Sequence, residues 1–79
     1  MATVTCNLVY RHENGEVEGF VGKGTDENTA HTNGIERITR KCAAVRHPYQ
    51  SARLIDNLDT LTAAETAKVQ NDWRMAAGS

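Results

Sequence analysis

Seventy-nine residues with a net charge of −1, 39% apolar and 24% charged, describe one small folded domain spanning 1–79 and argue against a disordered chain. No apolar run approaches the roughly 18 residues of a membrane span. The opening Met-Ala-Thr-Val-Thr lacks the basic region and apolar core of a secretion signal, so the expected compartment is the cytoplasm.

The charge is unevenly placed. Residues 1–36 carry two basic and six acidic side chains, residues 37–53 five basic and none acidic, and residues 54–79 two basic and four acidic. Two cysteines, Cys6 and Cys42, are too few for a disulfide framework, and each sits in an apolar pattern as a reduced core thiol would. A chain this short lies near the lower limit for a single core, and a homodimer would bury more apolar surface.

From Thr3 to Arg11, Val4, Cys6, Leu8 and Tyr10 alternate with the intervening residues at the period of a strand. Asn14-Gly15 is a strong hairpin signal, because a two-residue type I′ turn needs positive φ at both central positions. With that turn, Leu8 faces Val21, Tyr10 faces Gly19, Val9 faces Phe20 and Arg11 faces Glu18. The fuller face holds Cys6, Leu8, Tyr10, Val17 and Val21, which leaves Val9 and Phe20 on the outer face, either covered by a further strand or helix, open as a landing site for a partner, or simply a small solvated patch. Gly22 and Gly24 around Lys23 match no phosphate-binding fingerprint and read as a flexible strand-to-helix turn.

Thr25 to Arg46 reads as the principal helix. Ala30, Gly34, Ile35, Ile38, Cys42 and Val45 form its apolar stripe, and Arg37, Arg40 and Lys41 project from the other side. Thr25 caps the start, or Asn33 with Glu36 marks a later one. Pro48 ends the pattern. Ser51 to Asp56 alternates as a third strand would, although Leu54, Leu58 and Leu61 also fit a helix. Thr62-Ala-Ala-Glu65 is a capping box that opens a second helix through Val69, Trp73 and Ala76, stopped by Gly78 and Ser79. The expected fold class is α+β in the order ββαβα, an antiparallel hairpin with a third strand and two helices packed on one face.

The chemistry-bearing residues are scattered. His12, His31 and His47 show no metal-ligand spacing, and Asp56 with Asp59 is a weak acid–base pair. Cys42 with His31 or His47 lacks a third group and an oxyanion element. No catalytic residue, metal or cofactor is therefore expected.

The stretch NLVYRHENGEVEGFVGKGTDENTAHTNGIERI with ARLIDN, roughly residues 7–57, resembles the middle of a ribonuclease H-like domain. That resemblance implies a hairpin, a helix and a strand ending in Asp56 as a metal-binding acid. His31 stands where the resemblance places the helix glutamate, and the strand that would carry the first acid is missing, which leaves two-metal chemistry without two of its carboxylates.

The basic block is the stronger clue. Arg37, Arg40 and Lys41 share one helix face, with Arg46 just beyond and Arg53 on the next element. The expectation is a non-enzymatic protein-binding module, a small accessory or inhibitor of phage or mobile-element type that masks a site on host defence or transcription machinery. Its partner would present an acidic surface to Arg37, Arg40, Lys41, Arg46 and Arg53, with Val9 and Phe20 as a second contact. The alternative is a nucleic-acid binder using the same basic face.

Overall fold

In a computed structural model, which describes residues 2–77, two strands, β1 (Val4–Arg11) and β2 (Val17–Gly24), form an antiparallel hairpin. Its register differs by one residue from the expected one: Leu8 pairs with Phe20, Val9 with Gly19, Tyr10 with Glu18 and Arg11 with Val17. The turn explains the shift. The Gly15 N–H donates to the His12 carbonyl at 2.9 Å, and the His12 N–H donates to the Glu16 carbonyl at 2.8 Å. Gly15 has φ +91, and Asn14 is not among the residues with positive φ. The loop is thus a three-residue turn closed by one left-handed glycine, not a two-residue type I′ turn. Asn14 instead uses its Oδ1 to accept the Glu16 N–H at 3.0 Å.

A one-residue shift exchanges the faces of a whole strand. Phe20 joins Tyr10 and Leu8 on one side, while Val17 and Val21 join Val9 on the other. Both faces are therefore apolar, and each is covered by its own helix. The first helix, α1 (Glu27–Ala44), packs Ile38 and Cys42 on Tyr10 and Phe20, with Leu8, Ile35, Tyr49 and Leu54 around them. The second, α2 (Ala63–Ala77), packs Val69 on Val9 and Val17, joined by Ile55, Leu61 and Trp73. The two helices lie on opposite faces of a two-stranded sheet, not together on one face.

Close approach is built into β2. A Cβ at Gly22 would run into the Ala30 carbonyl and the Gly34 backbone, so α1 rests directly on the strand there. Gly22 is part of β2 and not of a flexible turn. On the other face, a Cβ at Gly19 would meet the Val69 carbonyl at 2.8 Å and the Trp73 ring at 2.9 Å. The Trp73 indole passes beneath the sheet to donate to the Leu8 carbonyl at 3.0 Å.

Asp26 rather than Thr25 caps α1, its Oδ1 accepting the Thr29 N–H at 2.7 Å. The chain then crosses to the far face along the outer edge of β1. Among the described residues the expected third strand is absent: residues 51–53 and 58–60 are single 3-10 turns, and the connector pairs with β1 through one bridge, Tyr10 to Leu54. The Ile55 N–H donates to the Val9 carbonyl at 2.9 Å. The element order is ββαα, with the connector as a strap. The capping box forms as expected, the Glu65 N–H reaching Thr62 Oγ1 at 3.1 Å and the Thr62 N–H reaching Glu65 Oε1 at 3.0 Å. The stop at Gly78 and Ser79 falls outside the described residues. No helix among the described residues is long and apolar enough to cross a membrane.

Gly22→Ala forces backbone apart and should cost roughly 3 kcal/mol or more in urea melts, beyond ordinary overpacking. Gly34→Ala meets chiefly the mobile end of Leu8, at 2.5 Å. It gains helix propensity and should stay within about 1 kcal/mol of the parent.

The Thr62 N–H, then the Arg11 guanidinium, hold the Glu65 carboxyl below its ordinary value, so the native state favours the ionised form. That stabilisation is present above about pH 4.3 and is lost as pH falls through the lower folded value. Melting temperatures between pH 6 and 3 should therefore fall less in Glu65→Gln than in the parent. A remaining slope is expected from Asp26, lowered in the same sense by the Thr29 N–H.

Candidate binding surface

The expected basic face is present on α1. Arg37, Arg40 and Lys41 are exposed on the side opposite the buried Ala30, Gly34, Ile38 and Cys42. Arg40 Nη2 lies 3.6 Å from Glu36 Oε1, an exposed pair of little energetic weight. Arg37 and Lys41 have no ion-pair partner among the described residues. All three side chains overhang the outer edge of β2. They form one wall of a groove of about 550 Å³ floored by Glu18, Gly19, Phe20 and Val21 and closed on the other side by Asp72 and Met75 of α2.

The edge beneath them is partly occupied. The pair closed by the His12 and Glu16 hydrogen bond fixes the alternation, so Val17, Gly19, Val21 and Lys23 direct their backbone groups away from β1. Lys68 Nζ donates to the Val17 carbonyl at 2.6 Å, and the Gly19 N–H donates to Asp72 Oδ2 at 3.0 Å. Asn33 Nδ2 donates to the Lys23 carbonyl at 2.6 Å.

The other expected site residues are dispersed. Arg53 belongs to the strap over the opposite edge of the sheet, with its Nε on Gln50 Oε1 at 3.2 Å. Arg46 terminates α1 at φ 62: its N–H donates to the Ala43 carbonyl at 3.1 Å, and the His47 N–H donates to the Cys42 carbonyl at 2.9 Å. This is a Schellman cap with arginine in the left-handed position that usually holds glycine. Val9 and Phe20 offer no outer landing face. They are 2% and 8% exposed, Val9 beneath α2 and Phe20 beneath α1.

The residues weighed for catalysis stay apart. His31 and Cys42 lie eleven positions along one helix, about 16 Å at the rise of an α-helix. His31 is exposed near the N-terminal end of β1, whereas Cys42 is buried under Tyr10 and Tyr49, whose rings stack at 5.6 Å. Burial raises both tyrosine hydroxyls above their ordinary value, and the Tyr10 oxygen accepts the Gln50 N–H at 3.1 Å. Asp56 is exposed on the strap. Among the described residues no three His, Cys, Asp or Glu side chains form a metal-binding group. The acidic hairpin is tied to its surroundings, with Glu13 against His47 and Glu18 against His12, each at 2.8 Å.

Sequence reasoning found the basic row but missed the opposing wall. Lys68 and Asp72 are readable as an i,i+4 pair on a helix, yet their contact with β2 depends on which face α2 covers. Gly19 inside a strand was the available sign of a close backbone approach. The architecture defines a small α+β domain with a flanked strand edge. No family model, curated protein or solved structure matches the chain.

Relieving the left-handed arginine gives a separate test of the cap. Arg46→Gly should raise stability by about 1 kcal/mol in urea melts, because a side chain at positive φ costs of that order. A loss of stability would mean that the Arg46 side chain makes a compensating contact.

Proposed function

We propose that the chain is a non-enzymatic protein-binding module that docks the basic face of α1 against an acidic surface of a larger protein, as a small accessory or inhibitor of the phage or mobile-element kind would. The observation that carries this reading is the row of Arg37, Arg40 and Lys41, exposed together, with two of the three lacking an internal counter-charge. Neighbouring carboxylates that would weaken attraction to an acidic partner are already engaged: Glu18 lies on His12, Asp72 on Lys68 and the Gly19 N–H, and Glu36 on Arg40. The helix fixes the spacing of these cations, and charge complementarity gives specificity as well as faster encounter.

The nucleic-acid alternative uses the same row. Against it, among the described residues the row and the lining of the groove hold one aromatic side chain, the buried Phe20, which offers bases no exposed platform to stack on.

Reversing Arg40 and Lys41 to glutamate tests both readings. Circular dichroism should keep its shape and stability should fall by no more than about 1 kcal/mol, the cost of setting a glutamate at position 40 against Glu36 and an acid in the last turn of α1, whereas capture of an acidic partner from lysate should be lost. Labelled RNA and DNA duplexes should show little anisotropy change at near-physiological salt. Equal capture by parent and variant would remove the basic face from the function, and tight duplex binding abolished by the reversal would move nucleic acid ahead.

A further inference from the structure

We infer that the open middle of the β2 edge is a strand-addition site for an extended acidic segment of another protein. This deepens the protein-binding reading and rests on it. The two ends of the edge are closed by side chains, Lys68 and Asp72 at Val17 and Gly19, and Asn33 at Lys23. Between them, the Gly19 carbonyl, both groups of Val21 and the Lys23 N–H point outward, with no hydrogen-bond partner among the described residues. A row of unpaired main-chain groups is a template for another strand.

The walls specify what that strand carries. Side chains alternate along an added strand, so those beside Phe20 and Gly22 face α1, and those beside Gly19 and Val21 face α2. The α1 side presents Arg37, Arg40 and Lys41; the α2 side presents Met75, which is 69% exposed, and Asp72, whose Oδ2 is held by the Gly19 N–H and Lys68 at the closed end of the edge. The fitting segment therefore alternates acidic and apolar residues over a short length.

A second copy of this chain fits poorly. Two-fold pairing of β2 with itself would bring the two α1 helices side by side on one face, setting each basic row against its own copy. A nucleic acid lacks the amide main chain that the edge is built to pair with.

The probe is an acetylated, amidated octapeptide of alternating glutamate and valine, titrated into the full chain and followed by fluorescence anisotropy and by amide hydrogen exchange. Binding should slow exchange of the Val21 and Lys23 amides. The double variant Arg37→Glu and Lys41→Glu should weaken binding roughly tenfold, as two exposed charge pairs would. N-methylation of the peptide at alternate amides, which removes its donors and keeps its charge, should weaken it by about as much or more.

Equal affinity for the methylated peptide would overturn strand addition while leaving the protein-binding reading intact. No detectable binding by the octapeptide would also overturn the inference, and the protein-binding reading would fail with it only if the partner captured from lysate were also insensitive to Arg40 and Lys41. Protection of the Val21 amide without peptide, together with a dimer in sedimentation, would assign the edge to a second copy and overturn the inference. Displacement of the peptide by a duplex RNA that protects the same amides would overturn it as well.

Discussion

Everything in this domain is arranged around β2, a strand pressed by a helix backbone on each face. Gly22 gives way to α1 at Ala30 and Gly34, and Gly19 gives way to α2 at Val69 and Trp73. The two glycines are three positions apart, an odd spacing, so their missing side chains lie on opposite faces of the pleat. A two-stranded hairpin in water is marginal. Here it is covered from both sides, and Val9, Val17 and Val69 are each at most 2% exposed. Burial of each such side chain contributes roughly 1.5 kcal/mol or more. Both helices sit mainly over β2, which leaves β1 to be finished by the strap and leaves the outer edge of β2 between two helical walls.

The parts of the fold that were legible in the sequence are those set by local pattern. The α1 stripe from Ala30 to Cys42, the Thr62–Glu65 capping box and the existence of the hairpin each depend on residues within one element or one turn, whereas Val45, expected to continue the stripe, lies past the helix and is 42% exposed. Register was not legible, because Asn14-Gly15 suits either a two-residue or a three-residue loop. The choice was made by Asn14, whose side chain bonds the Glu16 N–H while Gly15 alone takes the left-handed conformation. That single residue of slip moved Phe20 to the α1 face and gathered Val9, Val17 and Val21 on the other. A second fully apolar face requires its own cover, so both helices could not share one side. The alternation in Ser51–Asp56 was real, but Ser51–Arg53 coils into a 3-10 turn and leaves only Leu54 and Ile55 extended against β1.

The binding surface divides the same way. Arg37, Arg40 and Lys41 share a face through helical periodicity alone, which a sequence carries. Arg53, four positions past Tyr49 on a strap, leaves the cluster because the chain wraps the opposite edge of the sheet. The groove beneath the basic row was not legible, since it needs the register, the face chosen by α2 and the edge of β2 at once.

The electrostatics gain a different meaning in three dimensions. In the sequence, the acidic hairpin looks like a repulsive neighbour for any anionic partner. In the fold, Glu13 and Glu18 are each within 2.8 Å of a histidine, and Asp72 is held by Lys68 and the Gly19 N–H. The cations that remain without counter-charge stand over backbone groups that remain without partners. Natural sheets close their edges with side chains, bulges or covering elements. Here three side chains close the edge at Val17, Gly19 and Lys23 and stop short of Val21. An edge sealed at both ends and open for about one strand pair in the middle limits both the length and the register of whatever docks there, and the alternation of basic and apolar walls limits its sequence.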